Sequence, residues 1–201
     1  MASFPFQVTG GLFVTAAAML WLGWWLLPAR PGAFFLPHDF GAIRARYRVW
    51  IWLFRVHLFG YLVTVMAAVA LGASLGGSDA RVLVWPGAAV MASGAIVGSL
   101  GAAFYYHVGA WGALDLHPCL VRFSRGFFGL GQVVLAAGLV RDGTFPISVA
   151  IAAGLLGLAA IAVTMARPDE LERYRPVFHL NAAWMLAFGV VALHAGLGVA
   201  G

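Results

Sequence analysis

Four of the six histidines in this 201-residue chain fall inside or at the ends of long apolar runs: His57, His107, His179 and His194. An imidazole placed in hydrocarbon must hydrogen-bond or ligate something. His57, His107 and His179 come from three different runs and are expected at one depth. Three imidazoles at one level are a ligand set for zinc, copper or iron. They are also a ligand set for haem b. Two neutral imidazoles from neighbouring helices bind the iron axially, and the propionates reach toward a cation at the membrane surface. Arg55, two residues before His57, has the right charge and depth for that cation. Gly60, Gly101 and Gly109 stand near the histidines and would leave room for a flat ring.

Arithmetic limits the haem reading. His194 follows His179 by fifteen residues, about 22 Å along a helix, so it belongs to the opposite leaflet. The chain can complete one bis-histidine haem by itself. His194 is then structural, a single ligand, or paired with another subunit. A chlorin pigment, whose magnesium takes one histidine, fits that count more easily. The stretch "FRVHLFGY" resembles ligand helices in nitrate-reductase-type cytochrome b subunits. The second histidine of that family's pattern, further along the same helix, has no counterpart here, so none of the family's site is carried over. "ALDLHPC" adds Asp115, His117 and Cys119 nearby, but the proline after His117 reads as a turn facing water.

The elements that must position these residues are membrane helices. The chain is 63% hydrophobic and 9% charged, against roughly 25% charged in soluble domains. A membrane helix needs about 20 apolar residues. Six segments qualify, at 8–27, 49–73, 84–108, 124–140, 146–166 and 177–199. They are expected to form one all-α polytopic domain, 1–201. The start of the chain has no basic flank and its apolar run is long, so it reads as a retained first span. The fourth span, rich in glycine and carrying Gln132, has the weakest apolar pattern.

All twelve basic residues are arginines. Alternating the six spans puts ten on one side: Arg30, Arg44, Arg46, Arg48, Arg55, Arg122, Arg125, Arg167, Arg173 and Arg175. Arg81 and Arg141 fall on the other. The positive-inside rule turns the ten toward the cytoplasm and both termini away from it. That orientation explains the basic balance without a nucleic-acid partner. It fits a multi-pass protein of a bacterial-type inner membrane. Gly94 and Gly98, with Ala88 and Ala92, space small residues for close helix contact.

Some chemistry is excluded. Without lysine no retinal or pyridoxal Schiff base can form on this chain. One cysteine, Cys119, makes no internal disulfide. All seven acidic residues lie between the spans, which disfavours a proton- or sodium-coupled transporter. No phosphate loop or hydrolase triad is present. The expectation is a subunit of an electron-transfer or energy-converting complex, more than a self-sufficient enzyme. It would bind haem b through His57, His107 or His179 and meet other membrane subunits, with a quinone as a further partner. The alternatives are a cofactor-free accessory subunit and a histidine-ligated metalloenzyme.

Overall fold

The computed structural model describes residues 4–28, 39–75, 79–107, 116–166 and 171–197, apart from the side chains of 40, 105–107, 116–118 and 171–174. Within them the chain is entirely helical: α1 (Phe4–Trp25), α2 (Phe40–Ala45), α3 (Tyr47–Ser74), α4 (Arg81–His107), α5 (Leu116–Asp142), α6 (Ile147–Ala166) and α7 (Leu171–Leu197). All but the short α2 are long and apolar enough to cross a membrane. The chain is a multi-pass membrane protein, and the six expected spans are all present.

Helix boundaries differ in instructive ways. Pro118 does not end anything. It lies in the first turn of α5, where a missing N–H leaves no bond unmade. The fourth span therefore starts eight residues before the expected 124. Pro176 lies inside α7, which begins at Leu171 rather than 177. A proline there removes one backbone bond, which membrane helices tolerate near their ends. The short α2 was not foreseen. Asp39 caps it by accepting from Gly41 N at 2.9 Å and Ala42 N at 3.1 Å. Ile43 then packs with Leu27, Ile51 and Phe54, folding α2 back onto the arginine-rich end of the bundle.

The six spans pack as a ring. Each long helix leans mainly on its neighbours in chain order, and α7 closes against α1. Small residues set the seams, as expected for Gly94 and Gly98. A methyl group added at Gly94 would stand 2.5 Å from Phe128 N, and one at Gly98 would stand 2.7 Å from Ser124 Oγ. Gly10 and Gly189 do the same for α1 and α7, at 2.6 Å from a methyl at Gly10 to Gly189 O. Such approaches are open only to glycine.

The centre of the ring is filled unequally. In the half away from the arginine-rich end, Phe13, Phe145, Trp184 and Phe188 form a buried aromatic cluster, with Phe13 and Phe188 centroids 5.0 Å apart. Met91, Leu71, Leu135 and Leu139 complete it. In the other half the centre stays open.

Candidate functional site

That opening is a partly open cavity of about 140 Å³ lined by every long helix except α6. Leu20 and Trp24 come from α1, and His57, Tyr61 and Thr64 from α3. Gly98 and Ala102 come from α4, and Ser124, Arg125 and Phe128 from α5. Arg175, Phe178, Asn181 and Met185 come from α7. Its volume is close to that of an apolar cavity that holds one benzene, about 150 Å³. The walls are mainly apolar and aromatic, with polar groups at a few points.

His57 is 2% exposed. Its Nδ1 lies 3.0 Å from the carbonyl oxygen of Leu20. A carbonyl only accepts, so Nδ1 carries a proton, and in the neutral ring the lone pair is left on Nε2. Gly23 makes this seat possible, because any β-carbon there would collide with the Cβ of His57. Trp24, Tyr61 and Phe178 surround the imidazole at centroid distances of 5.8, 5.4 and 5.9 Å.

Two arginines share the cavity. Arg125 is 8% exposed and Arg175 is 7% exposed. Both lie near the arginine-rich ends of their spans, yet they turn into the bundle rather than out of it. Arg175 stacks on Trp24, 5.7 Å from the ring centroid. Among the described residues that line the cavity, none is acidic.

The floor carries a third polar element. Gln132 Nε2 donates to Asn181 Oδ1 at 2.7 Å, joining α5 to α7. Gln132 is fully buried and Asn181 is 5% exposed. Two of their atoms, Gln132 Oε1 and Asn181 Nδ2, have no hydrogen-bond partner among the described residues.

The expected site residues are distributed as follows. His57 lines the cavity. His179 is half-buried beside it, with Trp24, Trp25 and Phe178 at 6.3, 5.1 and 5.3 Å, but is not in the lining. Trp24 and Phe178 touch both imidazoles. The side chain of His107 lies outside the described residues, as do Gly109, Asp115 and the side chain of His117. His194 is exposed on the outer face of α7. Arg55 is exposed too, its guanidinium 4.6 Å over the Trp52 ring and away from the cavity. Gly60 does not open the space expected of it, because Leu20 fills its free side. Among the described residues no three His, Cys, Asp or Glu side chains gather as a metal site.

Sequence reasoning missed Arg125, Arg175 and Asn181. Helical spacing carries only part of the site: His57, Tyr61 and Thr64 repeat at i, i+4 and i+7 on α3, and Ser124, Phe128 and Gln132 at i, i+4 and i+8 on α5. Arg125 falls in neither repeat, and Arg175 and Asn181, six residues apart on α7, share no helical stripe.

No protein-family model, no curated protein and no solved structure matches this chain. The chemistry of the site is therefore read from its own residues.

Proposed function

We propose that this protein is a cofactor-binding membrane subunit of an electron-transfer complex, and that its cavity receives the head ring of a quinone. One observation carries the reading. A tautomer-fixed imidazole and two buried guanidiniums meet in an aromatic-walled space of single-ring volume, within a membrane. A quinone is a lipid-soluble ring with electronegative oxygens. Guanidinium N–H groups donate to a carbonyl oxygen of the oxidised ring. The Nε2 lone pair of His57 accepts from a hydroxyl of the reduced ring. Trp24, Phe128 and Phe178 supply apolar and aromatic surface.

Haem b is the second reading, favoured by one detail. An Nδ1 bond to a carbonyl is how proteins orient a metal-bound histidine. His57 would be a single axial ligand and Arg125 and Arg175 would meet the propionates, but a tetrapyrrole is far larger than this single-ring space of about 140 Å³. The site as described gathers one histidine, so it does not supply the bis-histidine pair.

The purified protein tests both. Solvent extraction followed by chromatography is expected to recover quinone in proportion to protein. A Soret band would instead assign haem. A colourless preparation that neither carries nor takes up a quinone contradicts the proposal and leaves an accessory role.

A further inference from the structure

Resting on the quinone reading, we infer that Asn181, held by Gln132, is the binding residue for the distal ring oxygen and accommodates both redox states of the guest. Asn181 is buried, lines the cavity floor and has an orphaned amide nitrogen. Its partner Gln132 has an orphaned amide oxygen. A buried polar atom left unpaired is costly enough to require explanation. A bound oxygen supplies it.

The pair is symmetric under inversion. Exchanging O and N in both amides preserves a bond between them and again leaves one donor and one acceptor over. In one orientation Asn181 Nδ2–H donates to a quinone carbonyl. In the other, Asn181 Oδ1 accepts from a quinol hydroxyl. Gln132 follows by turning its own amide, so neither state strands the inter-helix bond. An ionised carboxylate in place of Asn181 could only accept, and so would serve the quinol alone.

Spacing agrees with a ring between two polar levels. Gln132 lies seven residues below Arg125, about 10 Å of helix. A ring with an oxygen at each end is roughly 5 Å long by standard bond lengths. Adding a hydrogen bond of about 2.8 Å at each end gives a similar span. The proximal oxygen then meets His57 and the arginines, and the distal oxygen meets Asn181.

The test is equilibrium binding of decylubiquinone, and separately of its quinol, to purified protein in detergent. Asn181→Leu is expected to weaken both forms by about tenfold. Because that variant strands Gln132, the double variant Asn181→Leu/Gln132→Leu is measured beside it. Replacing both partners by apolar groups of similar shape is close to neutral for folding, so its binding loss reports the site. Wild-type binding with unchanged affinity in the folded double variant overturns this inference and leaves the quinone reading standing. Loss for only one redox form overturns the two-state role. Absence of binding by the wild type removes both.

Discussion

At the scale of single residues, burial separates the cavity lining from the outer surface. His57 and Arg55 are two positions apart, yet one is sealed in the bundle and the other stacks on Trp52 at the surface. Arg55→Ala is expected to leave quinone content unchanged, whereas Arg175→Leu should lower it severalfold. Chromatography of extracts from matched preparations checks the contrast. His194→Ala should also be silent, since that imidazole faces outward. His57 was legible in the sequence because an imidazole on an apolar run needs a reason. Arg125 and Arg175 were not. Each lies close enough to a loop for a long side chain to reach the headgroups, and only the ring of helices shows them turned inward.

At the scale of helices, glycine seams determine how closely α4 and α5 approach. The small-residue spacing in α4 was readable, and the structure places Gly94 and Gly98 against α5. Gly94→Val would press a branched side chain onto the backbone of Phe128. Overpacking of this kind costs about 1–3 kcal/mol, so the thermal midpoint in detergent should fall. A midpoint equal to wild type would show that the seam can widen freely. Helix starts were less legible. The prolines at 118 and 176 look like breaks in a one-dimensional pattern, but both sit early in their helices, where Pro118 removes no backbone bond and Pro176 removes one. Gln132 made the fourth span look weak. In the fold it is fully buried, because Asn181 on α7 meets it.

At the scale of the whole molecule, chain-order packing with α7 closed on α1 leaves a central line. Aromatic side chains fill one half of it and the cavity occupies the other. The number of spans could be read from hydropathy. The cavity could not, because it depends on which faces of five helices meet. Charge asymmetry carries an orientation that is directly testable. Cys119 is exposed at the arginine-rich end and is the chain's one cysteine. A membrane-impermeant maleimide is expected to modify it in inside-out vesicles and not in spheroplasts. Modification from the outer side would reverse the assigned topology.

The central claim is that the cavity beside His57 binds a quinone ring, and titration reports on it through Trp24, which lines the same space. Decylubiquinone added to the purified protein should quench tryptophan fluorescence saturably. His57→Ala should weaken that binding by tenfold or more in protein that remains folded. Quenching that never saturates, or an identical curve for the folded His57→Ala protein, would contradict the claim.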